Sequence, residues 1–258
     1  MGYMAWLPHL DNLSLLLIAN IVPSTEDADY PIENVINPKL TETYRSTGTS
    51  LTITIDTLNQ GPITLVALAN HNLSATASVT LDAGATTGYG GYTAQMTWRE
   101  FLMFKYTVTN ISLRYWRITI TDASNADGYI EIGYLFFGAV IKYPYFGWLY
   151  GGSNLTEYTN LELESPCGVM YSERMYHKDV FTLDFGPLNE TSMGYLLTLY
   201  RSVQTGKYPF LLIPDLDLYE GYYVRIISRF DQKLHVQVST SQRYVQLILK
   251  EDSYGKRI

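Results

Sequence analysis

One cysteine, Cys167, and four histidines, His9, His71, His177 and His235, are the side chains from which nucleophilic catalysis would have to be assembled. No serine sits in a G-x-S-x-G turn. Cys167 lies in Ser-Pro-Cys-Gly-Val and is expected to be a structural thiol, behaving as a small buried hydrophobe. No two histidines have chelating spacing, and H-E-x-x-H, C-x-x-C and D-x-D-x-D-G are all absent from the sequence, so no metal site is expected. Gly88, Gly90 and Gly91 could cradle an anion, but they match neither nucleotide-binding pattern and no helix follows, so an inter-strand loop is expected. Asp56, Asp82, Glu131 and Asp184 are the carboxylates available for glycosidase-type work, and nothing in their spacing pairs them. No enzyme is expected, and no cofactor.

The elements that would carry these residues are strands. Apolar residues alternate at 51–56, 63–68, 77–83, 115–121 and 129–137, the period of half-buried strands, with turn-rich pieces at 59–62, 84–92 and 122–128 between them. The first half therefore reads as a β-sandwich. After residue 138 an aromatic, Gly- and Pro-punctuated connection (Tyr143, Tyr145, Phe146, Trp148, Tyr150) runs into a polar stretch at 151–165, and the domain boundary is placed there. Beyond it 180–185 alternates as a strand. A helix over about 190–205 follows, with Met193, Leu196, Leu197, Tyr200 and Val203 on one face, Asn189 or Thr191 capping its start and Gly206 its end. Strand patterns at 209–213, 222–228, 233–239 and 244–251 complete a smaller β-rich domain with one helix. The expected organisation is 1–142 sandwich, 143–165 connection and 166–258 second domain.

Composition narrows the partners. Charged residues are only 17% of the 258, against 47% hydrophobic, and 23 tyrosines provide side chains that cover apolar area while keeping a polar tip. That points to extensive protein or ligand contacts. A net charge of -7 without any basic block excludes nucleic acid as the expected partner. Segment 13–22 is apolar but lacks a basic leader and a cleavage pattern, so no signal peptide is expected, and the five Asn-x-Ser/Thr triplets (Asn12, Asn72, Asn110, Asn154, Asn189) carry no expectation of their own. Segment 134–150 is broken by Lys142, Pro144 and glycines, and no membrane span is expected.

The order of signals in the first half is more specific. Ser24-Thr-Glu-Asp-Ala-Asp-Tyr-Pro31 leads to Glu33-Asn-Val-Ile-Asn37, then Tyr44-Arg-Ser46, Leu51–Asp56, Arg114-Tyr-Trp-Arg-Ile-Thr-Ile120 and Gly128-Tyr-Ile-Glu-Ile-Gly133. This resembles the discoidin-like, galactose-binding-like jelly-roll family over about residues 20–140. The variants Pro-Ile-Glu-Asn-Val-Ile-Asn-Pro, Leu-Ala-Asn-His-Asn-Leu-Ser (68–74) and Gly-Tyr-Ile-Glu-Ile-Gly-Tyr-Leu-Phe-Phe-Gly look like the jelly roll of bacteriophage tail and baseplate proteins. The second half is similar to the compact β-rich domain of tail-tube and distal-tail proteins.

The resemblance implies a structural subunit of a phage tail tip or baseplate, made in the host bacterial cytoplasm and located in the virion. It would form a trimeric or hexameric ring and contact tail-tube, hub and tape-measure proteins. Its interface would be the second domain with Tyr143, Tyr145, Phe146 and Trp148. The alternative it implies is a carbohydrate-binding protein that recognises a host surface glycan through the sandwich loops, with Arg45, His71, Asn72, Tyr92 and Trp98 as ligand-binding residues. Distal-tail proteins commonly place the ring-forming domain first, with the sandwich later or as an insertion, whereas here the sandwich is expected to lead. Family members that hold calcium would do so around Asn37 and Glu131. Here Pro38 and Lys39 follow Asn37 in place of the acidic and glycine pattern, so no calcium is expected.

Overall fold

A computed structural model of the chain describes residues 3–5, 20–37, 39–58, 63–138, 141–142, 153–203, 207–215, 220–229, 231–237 and 240–252. After the short β1 (Tyr3–Ala5), the alternating segments form β2 (Ile21–Pro23), β3 (Tyr44–Arg45), β4 (Ser50–Asp56), β5 (Ile63–His71), β6 (Ser78–Gly84), β7 (Tyr92–Gln95), β8 (Leu102–Ile111), β9 (Tyr115–Thr121) and β10 (Glu131–Gly138). These nine, β2 to β10, make two antiparallel sheets, β2-β4-β9-β6-β7 and β3-β10-β5-β8, a sandwich of jelly-roll type. Between the sheets, Leu51, Ile53 and Ile55 of β4 and Trp116, Ile118 and Ile120 of β9 meet Val66 and Leu68 of β5 and Leu135 and Phe137 of β10. Each such side chain contributes about 1.5–3 kcal/mol by leaving water. Trp116 is completely enclosed, with its ring edge-on to Phe137 at 5.0 Å.

β5 reads as a nearly continuous apolar run rather than an alternating one, because both of its faces are buried. One face enters the sandwich core. The other presents Leu65, Ala67 and Ala69, which join Leu102 and Phe104 of β8, Tyr134 and Phe136 of β10, and Leu211, Ile213 and Tyr223 from the second half of the chain in a separate core cluster. At the end of this layer Asn70 adopts a left-handed φ of 53°, and its side-chain amide donates to the Leu40 carbonyl at 2.7 Å. A Cβ at Gly133 would stand 2.8 Å from the Asn70 Cβ, so the strand opposite needs glycine there.

The second unit consists of β11 (Ile141–Lys142), β12 (Ser153–Glu164), β13 (Met170–Leu188), α1 (Glu190–Ser202), β14 (Phe210–Asp215), β15 (Glu220–Ile226), β16 (Asp231–Gln237) and β17 (Thr240–Glu251). Its sheet runs β11-β1-β14-β15-β17-β13-β12, with β16 also paired to β17. One face of β14 and β15 packs on the sandwich, and the opposite face, through Phe210, Leu212 and Val224, packs together with Leu247 of β17 under α1. The helix starts where Asn189 accepts a hydrogen bond from the Ser192 amide at 2.8 Å, and it buries Met193, Leu196 and Leu199, followed by Val203.

Three expectations change. The sandwich does not lead the chain: β1 pairs with both β11 and β14, so the sandwich is inserted into the second unit between its first two strands. The connection does not extend to residue 165, because 153–164 form a strand paired with β13. Its polar composition reflects an exposed hairpin, not a loop. The helix buries Leu199 where Leu197 was expected. Gly206 and the aromatic residues Tyr143, Tyr145, Phe146, Trp148 and Tyr150 lie outside the described residues.

Candidate ligand-binding site

The strand register gathers one set of loops at one end of the sandwich. Ser50 pairs with Thr121 and Thr121 with Ser78, while Ile132 pairs with His71 and Glu131 with Arg45. The loops at 24–31, 46–49, 72–77 and 122–130 therefore share that end, and the chain between β7 and β8 joins them through the Asn70 amide, which donates to the Phe101 carbonyl at 2.8 Å.

Arg45 is the centre of this end. The 24–31 loop is stitched along β3: the Asp27 amide donates to the Arg45 carbonyl and the Arg45 amide to the Tyr30 carbonyl. This holds the Tyr30 ring against the guanidinium, 3.8 Å from its central carbon to the ring centroid. On another side, the Tyr129 ring lies 4.9 Å from the same carbon. Arg45 Nε donates to Glu131 Oε2 at 2.7 Å, and partial burial of the guanidinium is outweighed by this carboxylate, so its pKa is raised. The two terminal NH2 groups of Arg45 make no hydrogen bond among the described residues.

Asn72 is what sets Tyr129 and Glu131. Its amide nitrogen donates to the Tyr129 carbonyl and to Asp127 Oδ2, both at 2.9 Å, and its amide oxygen accepts from the Glu131 amide at 2.8 Å. Gly128, at φ 75°, supplies the left-handed residue that turns the loop back. Asp122, almost fully buried, accepts from the Ser74 amide at 2.7 Å and from its hydroxyl at 2.5 Å, tying the 72–77 loop to the end of β9. Trp98 donates its indole N–H to the Leu73 carbonyl at 2.9 Å and leans on the sandwich core.

His71 is buried beneath these loops. Its Nδ1 accepts from the Leu73 amide at 3.3 Å, and Nε2 is buried without a hydrogen-bond partner among the described residues. Burial pushes its pKa down to about 4, against the weaker opposing influence of the Arg99 backbone and Asp122. It therefore packs beneath the loops as a buried, neutral ring.

Of the five residues assigned to ligand binding, the structure brings Arg45, His71, Asn72 and Trp98 to this end and leaves Tyr92 elsewhere. Tyr92 pairs with Ala83 at the opposite end of the five-stranded sheet, and its ring is 5.9 Å from Trp116 on the core side. It cannot share a pocket with Arg45. The residues missed were Tyr30 and Tyr129. Their signal in the sequence was Tyr-Pro and Gly-Tyr at loop ends on either side of the Tyr-Arg-Ser turn, but which tyrosines face one arginine is a matter of loop closure.

The remaining chemical candidates are occupied or exposed. Cys167 is exposed at the β12–β13 turn, which corrects the expectation of a buried thiol. Asp56 is bidentate with Arg114, Asp82 accepts from Arg117, Glu131 from Arg45 and Asp184 from Gln246. Around Asn37 and Glu131, where the resemblance implies calcium in other family members, Glu131 accepts from Arg45 and the Asn37 amide donates to Glu42. Among the described residues no group of three or more His, Cys, Asp or Glu side chains is placed to hold a metal ion, and no helix is long and apolar enough to cross a membrane.

No family model matches the sequence, and no curated protein does. Solved structures resemble its sandwich. A fucose-binding module of Streptococcus pneumoniae is 9% identical, with a TM-score of 0.40, and the match covers 50% of this chain and 97% of that one. A family 32 carbohydrate-binding module of C. perfringens, solved with galactose, is 13% identical, with a TM-score of 0.39, covering 55% of this chain and all of that one. Nothing about function follows from likeness of this degree; the side chains of the loop end have to carry that.

Proposed function

We propose that this chain is a carbohydrate-binding protein that recognises a surface glycan through the loop end of its sandwich. One observation carries this reading: Arg45 is immobilised between two tyrosine rings and one carboxylate while its terminal NH2 groups make no hydrogen bond among the described residues. An arginine fixed in this way has already lost its rotamer entropy, so hydrogen bonds to sugar hydroxyls cost little further ordering. Glu131 beside it is an acceptor, and the rings of Tyr30 and Tyr129 supply C–H packing surface. The test is titration of the full chain with fucose, galactose and their oligosaccharides, followed by Trp98 fluorescence and calorimetry. Arg45→Lys keeps the charge but loses the planar fork, and binding is expected to weaken about tenfold. Equal affinity for wild type and Arg45→Lys would overturn the reading.

A second reading, a ring-forming subunit of a phage tail, is supported by a different observation. Among the described residues β12 is the outermost strand of its sheet, and Leu155, Leu161, Leu163 and the cross-strand Tyr171 stand exposed on one face of the β12–β13 hairpin. An open edge with an apolar row is a surface that favours association. The inserted position of the sandwich also agrees with the arrangement that the resemblance implies for distal-tail proteins. Light scattering over a concentration series decides it: a discrete oligomer abolished by Leu161→Glu with Leu163→Glu supports a ring, and a monomer at every concentration removes it.

A further inference from the structure

Three non-glycine residues among those described have left-handed backbone: Leu58 at φ 49°, Asn70 at 53° and Tyr89 at 51°. Asn70 is explained by its bond to Leu40. Leu58 and Tyr89 are not residues that favour this conformation, and both border one patch, at the end of the sandwich opposite Arg45.

This patch lies on the outer face of the five-stranded sheet. The register sets Asp56 beside Tyr115 and Thr54 beside Arg117, which in turn is beside Asp82, and Asp82 beside Thr93. Tyr115 and Arg117 are two residues apart on β9 and so share the face. Arg117 donates through Nε and Nη2 to Asp82 at 3.2 and 2.8 Å, and Asp82 also accepts from Thr93. Arg114 forks onto Asp56 with two bonds of 2.8 Å and lies 4.8 Å from the Tyr115 ring. The Leu58 amide donates to the same Asp56.

Tyr89 is brought here by a loop built for it. Gly84 ends β6 so tightly that a Cβ would meet the Thr86 carbonyl at 2.8 Å and the Tyr89 Cα at 2.9 Å, and the Tyr89 amide donates to Thr86. The result is a Tyr89 ring 4.6 Å from the Arg117 guanidinium. An Asn or Gly at 89 would make the same turn without strain, so the turn itself does not call for tyrosine.

We infer that this face is a second carbohydrate-binding site, separate from the Arg45 end and selective for neutral hexopyranose units. The positive charges of Arg114 and Arg117 are balanced by Asp56 and Asp82, so an anion gains no net attraction here. Fixed arginine–carboxylate pairs instead offer adjacent donors and acceptors matched to vicinal hydroxyls. The Tyr89 and Tyr115 rings offer surface to the C–H face of a pyranose, and the hydroxyl oxygens of Thr54 and Thr93, which donate to the Val22 carbonyl and to Asp82, add acceptors. The inference does not depend on the Arg45 reading.

The experiment is calorimetric titration of the full chain with maltotetraose, cellotetraose, chitotetraose and β-galactotetraose, on wild type, Tyr89→Gly, Tyr115→Thr and Arg45→Lys. Tyr89→Gly relieves the left-handed strain and Tyr115→Thr keeps a good strand former, so both variants fold. At least one probe is expected to bind wild type and to bind about tenfold more weakly to both tyrosine variants, while Arg45→Lys keeps that binding. Binding lost in Arg45→Lys alone overturns this site and leaves the Arg45 reading standing. No binding of any of the four probes, or binding insensitive to both tyrosine variants, overturns it outright.

Discussion

His71 makes the fold sensitive to mild acid. Burial lowers its pKa from 6.5 to about 4 in the folded chain, so below 6.5 the unfolded chain takes a proton that the folded chain refuses. The neutral ring contributes its full stability above pH 6.5, and this is lost progressively as pH falls towards about 4. The complete loss is about 3 kcal/mol, and at pH 5 it is already about 2 kcal/mol, before most carboxylates begin to protonate. Urea unfolding followed by tryptophan fluorescence at pH 7 and pH 5 measures this directly. With a denaturant slope of about 2 kcal/mol per molar, the wild-type midpoint should fall by about 1 M. His71→Asn places an acceptor near the position of Nδ1 for the Leu73 amide but cannot titrate, so its midpoint should be lower at pH 7 and nearly unchanged at pH 5. The Asp122 carboxylate and the Arg99 backbone face the ring and are the same in both proteins. An equal fall in wild type and His71→Asn would refute the reasoning, as would a wild type indifferent to this change of pH.

Other outcomes follow from particular contacts. Asn72→Ala leaves the Glu131 amide and the Tyr129 carbonyl without their side-chain partner and should cost about 2–3 kcal/mol by thermal or urea unfolding, while also weakening any ligand bound at Arg45. Leu196→Ala empties a fully buried position under α1 and should cost about 2–5 kcal/mol, whereas Leu197→Ala should cost less than about 1 kcal/mol; the reverse order would mean that the helix is rotated. Gly133→Ala forces its new methyl against Asn70 and the Leu40 carbonyl, and a loss of about 1–3 kcal/mol in equilibrium unfolding is expected.

Much of the sandwich was legible because a half-buried strand writes its environment into a two-residue period. The runs 51–56 and 115–121 became β4 and β9 almost to the residue. β8 was missed: Leu102, Met103 and Phe104 are consecutive and all buried, since one face meets the sandwich core and the other the second unit, so no alternation marks them. β12 was missed for the opposite reason, being exposed along most of its length, with the polarity of a loop. Within the candidate site, Arg45 and Asn72 were found and Tyr30 and Tyr129 were not, because the former sit on or beside strands whereas the latter owe their positions to loop closure.

What the amino-acid order determined by itself is local: period-two strands, one capped helix, the apolar density that demands a layered β fold, and the absence of a recognisable catalytic motif. Local spacing settles these because each depends on residues a few positions apart. Only the tertiary structure decided that β1 closes the second unit around an inserted sandwich, that two tyrosines from different loops enclose Arg45, and that Tyr92 and Arg45 stand at opposite ends. Arg45 and Glu131 are 86 positions apart and meet at 2.7 Å, through a strand register that no short stretch of the chain contains.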